Sequence, residues 1–171
     1  RGSGSLPTVS KVDTEVMESI IAEGFRVREL VFESNLYEIV LPPQTITEDN
    51  ANEIDRKLKK LLPIKENILW LSLKNNHLND NHLKDLGAMV NLRKLDIDNN
   101  AISDIGIVEL VNIPNLEGLN LFRTKVTKKS LSSFSRMISL KRVYISGTLI
   151  SKNDVALYLE REERPNLGIG I

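Results

Sequence analysis

Apolar residues fall at the same four places in four successive stretches of this chain, each 24 residues after the last. The stretches read Ile68–x–x–Leu71–x–Leu73–x–x–Asn76–x–Leu78, then Leu92–x–x–Leu95–x–Ile97–x–x–Asn100–x–Ile102. Next come Leu116–x–x–Leu119–x–Leu121–x–x–Thr124–x–Val126 and Leu140–x–x–Val143–x–Ile145–x–x–Thr148–x–Ile150. Each begins with apolar and polar residues in alternation, which predicts a strand with one buried face. Leu71, Leu73, Leu95, Ile97, Leu119, Leu121, Val143 and Ile145 are then the inward residues. Asn79, Ser103, Thr127 and Ser151 follow as helix N-caps, each expected to accept a hydrogen bond from the first helical turn. Behind them Leu83 and Leu86, Ile107 and Leu110, Leu131 and Phe134, and Val155 and Tyr158 take helical spacing. The period changes from two to about 3.6 at the same place each time, so every stretch is a strand–helix unit.

A degenerate copy precedes these four: Leu36–x–x–Ile39–x–Leu41–x–x–Gln44–x–Ile46, with Thr47 at the cap column. Its excess length falls in a predicted helix over Asp49 to Leu62. Pro42-Pro43 at its strand end suggests a sheet edge. Earlier still, Asp13 or Thr14 starts a short helix through Ala22, Gly24 stands at its C′ position, and Phe25 to Phe32 reads as a strand. The predicted organisation is residues 1–5 as an expression-tag scar, 6–35 as an N-terminal αβ cap, and 36–67 as a degenerate first repeat. Residues 68–163 are four repeats, and 164–171 a C-terminal cap strand after the charged run Glu160 to Arg164 and Pro165.

A repeat of this length and spacing resembles the leucine-rich repeat. The resemblance implies an α/β chain wound as a right-handed solenoid, a horseshoe arc with parallel sheet on the concave face and helices on the convex one. Asn76 and Asn100 would bond the backbone of neighbouring turns that is otherwise buried unpaired. Thr124 and Thr148, with one polar group fewer, replace them later.

Composition narrows the class. The chain has 171 residues, 41% hydrophobic, enough for one buried core. Lys+Arg and Asp+Glu are 23 each, and the resulting zero net charge argues against nucleic acid or an anionic membrane as partner. No apolar run is long enough to span a bilayer. Cysteine is absent, unlike secreted animal repeat proteins with disulfide-closed ends, and no Asn-x-Ser/Thr site occurs. These features favour a bacterial or cytosolic setting.

The flanks carry a narrower likeness. Ala22-Glu-Gly-Phe-Arg-Val-Arg-Glu-Leu, Ser34-Asn-Leu-Tyr-Glu-Ile-Val-Leu, Leu61-Leu62-Pro63-Ile64 and Glu163-Arg-Pro-Asn-Leu resemble bacterial repeat domains of the Bacteroidetes and planctomycete type. Those lie at the C-terminal side of membrane-anchored proteins that also carry a c-type cytochrome-like domain. The resemblance implies a periplasmic or cell-envelope setting, with the cytoplasm as the alternative. There is no Cys-x-x-Cys-His, so no haem or other cofactor is expected in this segment.

Residues alternating with the inward ones project from the opposite face of the sheet. One column is Glu38, Trp70, Lys94, Gly118, Arg142, a second Val40, Ser72, Asp96, Asn120, Tyr144, and a third Pro42, Lys74, Asp98, Phe122, Ser146. Aromatics and arginine most often anchor interfaces. The predicted binding residues are therefore Trp70, Lys94, Asp96, Asp98, Asn120, Phe122, Arg142 and Tyr144, with Gly118 leaving a gap in its column. Lys74 and Asp98 are expected to neutralise each other. Asp96 and Asp98 share a strand face, but on an open surface beside lysines they read as ordinary ionised carboxylates, not as an acid–base or calcium pair. His77 and His82 read as solvated, and no metal, triad or phosphate-loop motif occurs. The expectation is a non-catalytic, monomeric module that binds a protein or peptide, without nucleic acid, metal or membrane insertion. The alternatives are a structural spacer and, more distantly, a carbohydrate-active or carbohydrate-binding domain.

Overall fold

The computed structural model describes residues 5–161, 164 and 166–171. Helix α1 (Thr14–Ala22) leads into one sheet whose seven strands lie side by side in chain order. They are β1 (Arg26–Glu29), β2 (Tyr37–Val40), β3 (Ile68–Ser72), β4 (Lys94–Asp96), β5 (Gly118–Asn120), β6 (Arg142–Tyr144) and β7 (Gly168–Gly170). β1 pairs antiparallel with β2, and every later pair is parallel. Parallel neighbours need a crossover, and α2 (Ile54–Lys59), α3 (Leu83–Gly87), α4 (Asp104–Ile107), α5 (Ser130–Arg136) and α6 (Lys152–Glu160) provide it. The fold is α/β with a mostly parallel sheet. Trp70 pairs with Lys94, Lys94 with Gly118 and Gly118 with Arg142, so the 24-residue spacing in sequence is the pairing register here.

All eight inward residues are buried, and they join the helical residues in one core cluster running from Ile20 to Leu167. Helices this short are marginal in water on their own. Their buried faces hold them, with Leu83, Leu86, Ile107, Leu110 and Phe134 fully enclosed.

Several local expectations change. The strand predicted over Phe25 to Phe32 stops at Glu29, because the Glu29 carboxylate accepts the amides of Glu33 (3.0 Å) and Asn35 (3.1 Å) and bends the chain. The turn leaves Phe32 87% exposed. The helix predicted over Asp49 to Leu62 breaks into a 3₁₀ turn at Glu48–Glu53, α2, and a second 3₁₀ turn at Leu62–Ile64. Its kink is at Asn50, which leaves helical geometry while its side chain caps the Thr47 amide at 2.7 Å. Pro42-Pro43 marks no edge: β2 is interior and the prolines stand just beyond its last residue, Val40. At the C-terminus Arg164 donates to the carbonyls of Phe134, Met137 and Leu140, tying the end of the chain to the last turn of α5. The predicted features at Arg1 to Gly4, Glu162, Glu163 and Pro165 lie outside the described residues.

Candidate functional site

Where β3 and β4 end, a buried side-chain amide holds adjacent turns together. The Asn100 side chain accepts the amides of Asn76 (3.1 Å) and Leu78 (3.0 Å) and donates to the carbonyls of Leu73, Ile97 and Asp98. Asn76 repeats this one strand earlier, accepting from Ile46 and donating to Leu41, Pro42 and Lys74. Thr124 and Thr148 donate only within their own turns, to Leu121 and Ile145. The hydrogen bonds of these side chains are thus spent on the backbone, which makes them part of the scaffold.

The face opposite the helices carries the predicted binding residues in the expected columns, but they are not equally free. The Lys94 ammonium lies 5.3 Å from the Trp70 ring centroid, a cation–π pair that occupies both. Asp98 is 3% exposed, so it is a buried carboxylate and not part of an open surface. It faces Lys74 at 3.8 Å and accepts from Asn99 at 3.2 Å. Burial first, then the nearby charges of Asp98 and Glu38, push the Asp96 carboxyl above its ordinary value, although Lys94 and Lys74 oppose them. Asn120 accepts the Phe122 amide at 3.0 Å and so spends its acceptor on its own turn. The gap expected at Gly118 is filled: a Cβ there would meet the Arg142 guanidinium at 3.3 Å. Arg142 remains exposed, Tyr144 is 46% exposed, and the Phe122 ring carries Arg123 at 5.1 Å. The exposed part of the predicted site is thus Arg142 and Tyr144 on β6, with the half-buried Phe122 just past β5 and its ring covered by Arg123 much as Lys94 covers Trp70.

The turn edge adds residues that the strand columns did not single out. Asn75, Asn99, Arg123 and Gly147, one per turn, all have positive φ, at 50°, 54°, 53° and 73°. Arg123 is unusual in that conformation, which Asn and Gly adopt more readily. Arg123 and Lys125 line a recess of about 800 Å³ with Asn75, His77, Asn79 and Asn99. His82, expected in solvent, is buried, and its Nδ1 accepts the Asn79 amide at 3.0 Å. Burial is the main cause that lowers its pKa.

The cap residues behave in two ways. Asn79 and Ser151 accept from their own helical turns as expected. Ser103 does not: its amide (2.7 Å) and its hydroxyl both donate to Asp80, one turn back. Thr127 does both: its hydroxyl oxygen accepts the Lys129 amide (3.2 Å) as expected, while its own amide (2.8 Å) and hydroxyl donate to Asp104, which also takes the Ser130 hydroxyl. Gly106 makes room for the first of these staples, since a Cβ there would stand 2.4 Å from Asp80 Oδ1.

The zero net charge conceals a segregation that a residue count by region would have found. Residues 1–120 hold 13 Lys/Arg against 19 Asp/Glu, and residues 121–171 hold 10 against 4. Among the described residues no group of three or more His, Cys, Asp or Glu is placed to hold a metal ion, and no helix is long and apolar enough to cross a membrane. The chain matches no protein-family model and no curated protein.

Proposed function

We propose that the chain is a leucine-rich-repeat solenoid, wound right-handed, that binds a protein or peptide partner on the open face of its sheet. The 24-residue register and the Asn76–Asn100 ladder support the repeat reading. The observation that carries the binding reading is the exposed pair Arg142 and Tyr144 on β6 beside Phe122. Aromatic rings gain apolar burial at little side-chain entropy, and a guanidinium can fork onto a carboxylate. No catalytic role is assigned. The resemblance of the flanks favours a parent protein of the bacterial envelope, which cell fractionation with an antibody to this chain would test.

The other half of the face supports the spacer alternative for that region. Arg28 pairs with Glu38 at 2.8 Å, Lys74 with Asp98, and Lys94 with Trp70. The working contacts are therefore assigned to Phe122, Arg142 and Tyr144. The test begins with affinity capture from an envelope fraction of the source organism and identification of the bound protein. Phe122→Ala with Tyr144→Ala should then weaken that binding at least tenfold, about 1.4 kcal/mol, with little change in melting temperature. Lys84→Ala, on the helical side, should leave it unchanged. Full affinity in the aromatic double variant would move the site off the sheet.

A further inference from the structure

Consecutive helices α3, α4, α5 and α6 leave gaps at their N-terminal ends, and the last gap differs from the others. Between α3 and α4 the Asp80 carboxylate crosses to Ser103, and between α4 and α5 Asp104 crosses to Thr127 and Ser130. The next residue in this series, 24 further on, is Lys128. An ammonium has donors only and cannot accept these bonds. Asp154 is no substitute, because its carboxylate accepts the Ser151 amide within its own turn at 2.9 Å. The Ser135 and Tyr158 hydroxyls, 2.5 Å apart, link α5 and α6 further along. Near Lys128 the gap is an open groove of about 420 Å³.

Lys128 and Lys129 form one wall, and Leu157 and Arg161 belong to the other, on the stripe of α6 that also holds Asp154 and Tyr158. Leu157 is 50% exposed. Among the described residues no carboxylate forms an ion pair with Lys128, Lys129 or Arg161, although Asp154 on the same groove acts on Lys128 and Asp104 on Lys129 at longer range. The three cations thus outnumber the single carboxylate that lines the groove. We infer that this groove docks an acidic segment of a protein partner. An apolar side chain of the partner rests on Leu157 while flanking carboxylates meet Lys128, Lys129 and Arg161. Charge complementarity selects the acidic class, and the exposed leucine selects a peptide over nucleic acid. A duplex would meet the cations but offer nothing apolar to Leu157, and Tyr158 is too buried to stack on a base. The surface lies on the helical side and does not depend on the sheet-face reading.

The experiment is fluorescence anisotropy on the full chain with a short synthetic peptide of alternating glutamate and leucine. A lysine–leucine peptide and a short DNA duplex serve as comparison probes. The acidic peptide should bind, and Lys128→Glu with Lys129→Glu should weaken it at least about tenfold. Leu157→Ser should weaken it several-fold at unchanged ionic strength. Lys84→Glu and the Phe122→Ala, Tyr144→Ala pair should leave it unchanged, which separates this surface from the sheet face. Melting curves check the folding of each variant, and Lys128→Gln with Lys129→Gln replaces the reversal where that does not fold. Binding of the duplex without the peptide, binding of neither probe, or full affinity in the reversed variant would overturn the inference. So would self-association of the chain that the same reversal abolishes, since the occupant would then be a second copy.

Discussion

Two aspartates 8 residues apart show how local donors decide the state of a carboxylate. Burial alone would raise the pKa of Asp104, but hydrogen bonds from Ser130 and Thr127 outweigh it and the net shift is downward. Asp96 is raised, first by burial, and has no comparable donors in its favour. The consequences for stability have opposite signs. Asp104, depressed in the fold, contributes stability above its unfolded value and loses it as pH falls through the folded one. Asp104→Asn should lower the urea midpoint at neutral pH and flatten the acid limb of the stability profile. Asp96, raised in the fold, contributes below its unfolded value and loses that contribution as pH rises through the folded one. Asp96→Asn should therefore raise the midpoint at neutral pH and leave it nearly unchanged in acid. Denaturant titrations across the acid range check both, and equal profiles for the two variants would contradict the assignment. The sequence placed Asp96 and Asp98 correctly on one face but could not foresee their burial, because burial depends on which neighbouring strands carry bulky groups.

At the scale of the element, the strand–helix boundaries were legible because the hydrophobic period changes there. The pairing register was legible because the spacing never slips. The chemistry of the caps was only half legible. Ser103 and Thr127 are residues that usually accept at a helix start, yet here both donate sideways to an aspartate from the preceding turn, Ser103 in place of the cap bond and Thr127 in addition to it. That role needs Asp80, Ser103 and Gly106 together, and Gly106 reads from sequence as a mere helix weakener. A hydrogen bond to a charged group contributes about 1.5–3 kcal/mol, and a neutral one about 1. Asp80→Ala should cost about 2 kcal/mol and Ser103→Ala about 1 kcal/mol, and the double variant should cost less than their sum. A thermodynamic cycle from chemical denaturation measures the coupling, and strict additivity would show that the staple adds nothing. Gly106→Ala should be as damaging as Asp80→Ala, since its methyl group would displace that carboxylate.

Over the whole molecule one core runs unbroken from α1 to the C-terminal segment, so distant substitutions should act on a single unfolding transition. Leu119→Ala, at the centre, should cost about 2–5 kcal/mol, several times the effect of Asn81→Ala on the surface. Equal melting temperatures for that pair would remove the inward column from the core. The N-terminal segment tests the same continuity at its end. Ile20 and Phe25 are buried in the core, and β1 covers the outer edge of β2 through Arg26 to Glu29. Asn67 also donates to the Ser10 carbonyl at 2.8 Å, fixing the stretch ahead of α1 against the start of β3. Deleting residues 6–35 would strip that edge of its partner and uncover the core beside Ile39 and Leu41. An unpaired edge with an apolar face beside it invites pairing between chains. The truncated chain should therefore melt at lower temperature and elute as soluble aggregates in size-exclusion chromatography with light scattering. A truncated chain that stays monomeric with the parent melting temperature would show that the segment is a linker and that the core closes at β2.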